Sequence, residues 1–183
     1  MKIQFPNIAI VGTGAMGRGI AQIGAQAGSQ VFLLDANPGA ADAARAALQE
    51  QWNKLVAKGR IEADQATALT ARLHPVTTVA QLAACDLVVE AIVERLDAKQ
   101  ALFVELEGVV RADAVLATNT SSLSVTAIGA SLQRPERLAG FHFFNPVPLM
   151  KVVEVIAGLK TDPSICTALA AYATAMGHTP VQA

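Results

Sequence analysis

His142 ends the apolar run 138–143, and Glu154 lies inside the next one, 152–156. Asn145-Pro146-Val147-Pro148 separates the two runs and must form a loop. If the runs fold back on one another as neighbouring strands, the Glu154 carboxylate reaches the imidazole. A carboxylate in that position fixes the ring's tautomer and stabilises its protonated form. Such a pair suits removal of a hydroxyl proton while hydride leaves the same carbon. Each residue also has a plainer reading, His142 as a packing residue and Glu154 as a solvent-facing strand acid. Only their pairing gives them a chemical meaning.

A second constellation stands near the start of the chain. Gly12-Thr13-Gly14-Ala15-Met16-Gly17 follows a β-branched run, 8–11, and opens a helix. Gly12 permits the tight turn, Gly14 lets the backbone approach a pyrophosphate, and Gly17 lets helix and strand pack closely. The pyrophosphate would rest on the helix N-terminus, over the free N–H groups around Ala15 and Met16. Asp35 lies eighteen residues past Gly17, at the end of the next apolar run, 31–35. An acid there hydrogen-bonds the adenosine ribose and repels a 2′-phosphate, so NAD is expected rather than NADP. It also reads as a solvated strand-end acid.

These groups need elements to hold them. The runs 8–11, 31–35, 86–90, 114–117, 138–143 and 152–156 read as strands, and 178–183 as the start of another. Helical patterns alternate with them. One helix follows Gly17 and ends near Ala27, with Gly28 as its stop; others cover 98–110, 125–132 and the stretch from Pro163 to Gly177. Between the second and third strands, Asn37 is placed as an N-cap and Pro38 at the first helical position of a helix reaching Lys58. A further helix, 62–73, is ended by His74-Pro75. These two helices are expected as a hairpin insertion, about 38–73, standing off the sheet. The whole, 1–183, is an α/β domain with a doubly wound, mostly parallel sheet of the Rossmann type. Site residues should then gather at carboxyl ends of strands, in the segments 90–94, 119–122 and 142–146. Ser121 and Ser122 also suit the N-cap of a short helix, and Asn119 and Asn145 suit turns.

Composition excludes several other classes. Fourteen basic and fifteen acidic residues give a net charge of −1, with no basic footprint for nucleic acid or a membrane surface. No apolar run reaches spanning length, and the N-terminus lacks the features of a signal peptide. Cys85 and Cys166 lack metal-ligand spacing, so no metal is expected. They read as two buried thiols in a reducing, cytoplasmic setting.

The segments 11–22, 86–94, 119–123 and 140–155 together resemble the N-terminal domain of the 3-hydroxyacyl-CoA dehydrogenase family, and the likeness runs over essentially the whole chain. The resemblance implies reversible NAD-dependent oxidation of a 3-hydroxyacyl-CoA to a 3-oxoacyl-CoA. His142 would be the catalytic base, Glu154 its orienting partner, and Ser121 a contact to the substrate's 3-oxygen and to the nicotinamide side. Glu94, Lys99, Asn119 and Asn145 would line the cofactor pocket, and Asn145 would also meet the substrate. Lys58 matches a family lysine that binds coenzyme A on the helical hairpin. Gln51 stands where the family usually has a serine for the same purpose. Three alternatives stay open: a non-catalytic NAD-binding module or sensor, a dehydrogenase of free β-hydroxyacids, and an enzyme specific for 3-hydroxyadipyl-CoA.

The family carries a second, helical domain that closes over the site, adds an asparagine to it and usually forms a homodimer. Its absence from this sequence makes a fragment the expected state. Such a chain is expected to bind NAD and to turn over poorly, because the site would stay wet. Following NADH oxidation with acetoacetyl-CoA checks this, and turnover like that of a two-domain enzyme would contradict it.

Overall fold

The computed structural model describes residues 4–183. Its core is one eight-stranded sheet in the order β3-β2-β1-β4-β5-β6-β7-β8. The strands are β1 (Asn7–Val11), β2 (Gln30–Leu34), β3 (Leu73–Pro75), β4 (Leu87–Glu90), β5 (Val115–Thr118), β6 (Leu138–Phe143), β7 (Val152–Ala157) and β8 (Thr179–Gln182). The first six are parallel; β7 runs antiparallel to β6, and β8 is parallel to β7. The helices are α1 (Ala15–Gln26), α2 (Ala40–Ala57), α3 (Ala63–Ala71), α4 (Leu96–Glu107), α5 (Val125–Gly129) and α6 (Pro163–Ala175).

Both faces of the sheet are covered, which is why the central strands are largely apolar, with Glu90 and Thr118 as buried polar exceptions at their carboxyl ends. Ile8 and Ile10 of β1 pack on one face with Ile20 and Ile23 of α1 and Leu169 and Tyr172 of α6. Ala9 and Val11 point the other way, with Val88 and Leu116, against Phe103 and Leu106 of α4 and Ile128 of α5. The alternation of side chains along a strand divides one short run between two cores.

Three expectations are corrected. The first concerns the helix pair 38–73, which does not stand off the sheet. α2 and α3 form the connection between β2 and β3, and Leu48, Trp52 and Leu69 belong to the same core as Ile8 and Ile10. Second, Leu73–Pro75 is a strand and not a helix end. It pairs with Val31, Phe32 and Leu33 at the sheet's edge, where a proline is tolerated because no further ladder follows. Third, Asn37 is not an N-cap. Its N–H donates to the Asp35 carboxylate at 2.9 Å and its carbonyl accepts from Ala40, so Asn37-Pro38 forms a turn. α2 begins two residues later, after Gly39 at φ 81°.

The thiol reading is matched by burial. Cys85 and Cys166 are buried free thiols. Burial and the neighbouring Asp86 push Cys85 up to about 12, and burial raises Cys166. Neither is a nucleophile at neutral pH.

Trp52 tests how firmly the helix pair belongs to the core. Trp52→Ala should lower unfolding free energy by about 3–5 kcal/mol in denaturant titrations. A loss below about 1 kcal/mol, normal for surface positions, would return the helix pair to the status of an appendage.

Candidate active site

The antiparallel turn from β6 to β7 sets His142 directly opposite Glu154. The imidazole Nδ1 lies 2.9 Å from Glu154 Oε1. An ionised carboxylate only accepts, so Nδ1 carries the hydrogen and the neutral ring keeps its lone pair on Nε2. Nε2 makes no hydrogen bond among the described residues and is not sealed from solvent. The side chain as a whole is 15% exposed, and the Phe144 ring packs against it with centroids 4.6 Å apart. One nitrogen is held and the other is open, the arrangement a general base requires. Asn119 secures the strand that carries it: its side-chain oxygen accepts the Phe143 N–H at 2.8 Å, tying the end of β5 to the end of β6.

The glycine turn joins β1 to α1. Gly12 has φ 97°, and a Cβ there would strike the Ala91 carbonyl. A Cβ on Gly17 would strike the Gly12 carbonyl, so both positions exclude a side chain by close backbone approach. Gly14 differs, because a Cβ there would meet nothing within 4 Å. The space it leaves lies at the N-terminus of α1, whose first turn has no side-chain cap and no acidic residue. Open space beside uncapped N–H groups fits the pyrophosphate of a dinucleotide. Ala15 lies exposed at that turn, and Met16 turns its side chain into the core. Asp35 sits at the end of β2, as a ribose contact must. One of its oxygens already accepts the Thr13 N–H and hydroxyl at 2.8 and 2.7 Å. Burial works to raise the Asp35 carboxyl, but these bonds and that from Asn37 outweigh it and hold the group below its ordinary range.

Glu94 organises the serine segment. One of its oxygens accepts from the Thr120 hydroxyl at 2.9 Å, from the N–H groups of Ser121 and Ser122 at 2.9 and 3.3 Å, and from both serine hydroxyls at 3.2 Å. Ser121 and Ser122 are therefore not the cap of the short helix; Ser124 caps it through the Ala127 N–H. Lys99 does not open onto the pocket. It is 1% exposed, with its ammonium between Glu90 and Glu94, 3.1 Å from Glu94 Oε1. Glu90 also accepts from the Thr118 hydroxyl at 2.6 Å and the Ile92 N–H at 2.8 Å. Sequence reasoning included Glu90 in the segment 90–94 without giving it a role, and missed Thr118 and Thr13. The one available signal was a glutamate inside an apolar strand with a lysine nine residues on.

Gly12, Asp35, Glu94, Asn119, Ser121, His142 and Asn145 all lie at the carboxyl ends of β1, β2, β4, β5 and β6 or in the loops that follow. Lys58 is not among them. It ends α2, exposed, seven residues beyond Gln51.

Glu94 also makes the segment sensitive to acid. Burial would raise its carboxyl, but the Ser121 N–H, the Thr120 hydroxyl and Lys99 reverse this and hold it down at about 2, against an ordinary 4.5. A depressed carboxyl contributes stability above its unfolded value and loses it as pH falls through the folded one. The stability difference between wild type and Glu94→Gln should thus be constant above pH 4.5 and shrink from there toward pH 2. Urea titrations at several pH values measure it; a pH-independent difference would show that the carboxylate does not carry the clamp.

The family model for "3-hydroxyacyl-CoA dehydrogenase, NAD binding domain" matches residues 7–183. The chain is 43% identical over 182 residues to the 3-hydroxyadipyl-CoA dehydrogenase of Escherichia coli K12, covering 100% of this chain and 38% of that protein. It is 39% identical over 180 residues to the probable 3-hydroxybutyryl-CoA dehydrogenase of Bacillus subtilis 168, covering 98% of this chain and 63% of that protein. The crystal structure of 3-hydroxybutyryl-CoA dehydrogenase from Escherichia coli K12 superposes with a TM-score of 0.94 at 42% identity, over 100% of this chain and 38% of that one. The chain thus spans less than two thirds of the length of each of these relatives. With the family model matched over 7–183 and the fold shared with its relatives, the chain belongs to the NAD-binding-domain family of the 3-hydroxyacyl-CoA dehydrogenases.

Proposed function

We propose that this chain carries the NAD-binding and proton-handling half of a 3-hydroxyacyl-CoA dehydrogenase, with His142 as the general base. The His142–Glu154 pair carries the reading: one ring nitrogen is held and the other is unengaged, at the carboxyl-end edge of the sheet where the glycine turn and Asp35 also lie. NAD, when bound, supplies the hydride acceptor. The α1 N-terminus with Gly12, Gly14, Ala15, Met16 and Gly17 would hold its pyrophosphate, and Asp35 its adenosine ribose.

His142 Nε2 takes the proton of the substrate's 3-hydroxyl, and Glu154 holds the resulting imidazolium through Nδ1. Ser121 would contact the 3-oxygen from beyond the end of the neighbouring strand, β5. Its hydroxyl must turn from Glu94 to do so, and the backbone bonds from Ser121 and Ser122 to Glu94 keep the segment in place meanwhile. Lys99 acts at one remove, holding Glu94 from beneath. Asn145, in the loop after β6, completes the cofactor and substrate wall, and Lys58 with Gln51 would meet the coenzyme A moiety. A non-catalytic NAD module would need neither the imidazole–carboxylate pair nor the clamped serine segment.

Within the complete two-domain enzyme, His142→Gln should lower turnover of acetoacetyl-CoA with NADH by about 10²–10⁴-fold while the Kd for NAD stays within about twofold. Glu154→Gln should fall between the two, because the ring keeps a partner but loses the charge that stabilises its cation. Activity retained in His142→Gln would remove the base from this reading.

A further inference from the structure

A cavity of about 330 Å³ lies between α1, α2 and the loop that follows His142. Arg18 and Gln22 enter it from α1, on the face they share with Ala15 and Gly19 at spacings of three and four residues. Gln51 enters from α2, and Asn145 with Val147 closes the far wall. Gly19 belongs to the design of this wall, since a Cβ there would come within 2.7 Å of Val147 Cβ.

Two of these side chains lack protein partners. Gln22 is only 6% exposed, yet its carboxamide makes no hydrogen bond among the described residues. Its polar atoms are nevertheless not sealed off, so they meet the cavity. Arg18 forms no ion pair or side-chain hydrogen bond among the described residues. A buried amide without a partner destabilises a fold and persists where something else answers it. A cation at the mouth and an amide at the floor call for an anionic oxygen group next to a carbonyl or amide.

We infer that this cavity binds an anionic group of the acyl-CoA substrate, Arg18 holding the charge and Gln22 the adjoining polar atoms. The inference rests on the acyl-CoA reading above and adds a subsite on α1 to it. Two parts of an acyl-CoA carry such chemistry: the phosphates of the coenzyme A arm and a terminal carboxylate on the acyl chain. The cavity borders both possible routes, because Asn145 joins it to the catalytic loop and Gln51 to the face of α2 that leads toward Lys58.

Butyryl-CoA and adipyl-CoA separate the two sources. Both would be titrated calorimetrically into the full chain, wild type and Arg18→Gln, with NAD as a third ligand. Arg18→Gln should weaken at least one thioester by about tenfold, the effect of one lost charge-assisted contact, and leave the Kd for NAD within about twofold. An equal loss for both thioesters assigns the phosphates, and a loss confined to adipyl-CoA assigns the carboxylate. Unchanged affinity for both thioesters, in a protein whose wild type binds them, overturns the inference alone. A wild type that binds neither overturns the acyl-CoA reading and this inference with it. Gln22→Leu supplies a second readout: it should weaken thioester binding while Tm holds or rises, because the unanswered amide is gone. A lower Tm with unchanged affinity would assign Gln22 to packing and overturn its part.

Discussion

A slip of one residue between β6 and β7 would turn Glu154 to the opposite face from His142, because side chains alternate along a strand. The register His142↔Glu154 is therefore the constraint on which the proposed chemistry depends. It is held from the opposite face of the sheet, where one core takes all the alternate side chains. Phe141, Phe143, Val153 and Val155 are wholly or almost wholly buried and lock the alternation. The loop between the strands is anchored separately, with Val147 buried against Gly19 of α1 and its carbonyl 2.9 Å from His178 Nε2. The same helix that would carry the pyrophosphate thus sets the seat of the catalytic loop. A change at Gly19 would disturb both.

Much of this was legible in the amino-acid order. The runs around Ile8, Val31, Val88, Leu116 and Leu138 are mainly apolar because each is covered on two sides, and that pattern is visible without coordinates. β6 lies where its run of residues put it, and the antiparallel return of β7 answers the condition on which the His142–Glu154 pairing rested. What escaped reading was short or two-sided. β3 has three residues, one of them proline, which looks like a helix stop. The α2–α3 pair is polar enough to read as an appendage, yet Leu48 and Trp52 reach the core from a single stripe. Ser121 and Ser122 had the composition of a cap. Only the position of Glu94, brought beside them by the β4–β5 pairing, gave their donors another partner.

The buried charges follow the same logic. Glu90 is completely buried, and a carboxylate there requires compensation that its own strand cannot supply. Lys99, nine residues on, reaches back from α4 to provide it, and its ammonium is shared with the half-exposed Glu94. One cation thus links a carboxylate in the sheet to the carboxylate that holds the serine segment. Removing Lys99 would leave Glu90 charged and unpaired, which costs about 3–5 kcal/mol at a buried site. The network's stability and the placement of Ser121 are for that reason inseparable. A lysine that never touches a ligand can still be indispensable to the site.

The polar groups of the strand-end cleft fall into two sets. Asn119, Asp35 and Glu94 are engaged by protein donors, and they fix where loops and turns lie. The N–H groups at the start of α1, Nε2 of His142, the Gln22 amide and the Arg18 cation are not. Of these four the Gln22 amide is the buried one, and burial without a protein partner is what folding alone does not explain. Their order along the cleft has chemical sense. Donors for a pyrophosphate stand at the α1 N-terminus, a base stands at the end of β6, and a cation with an amide lies on the α1 face behind the β6 loop. The groups that the fold leaves open describe a pair of ligands meeting at His142, one along α1 and the other against the loop that follows β6.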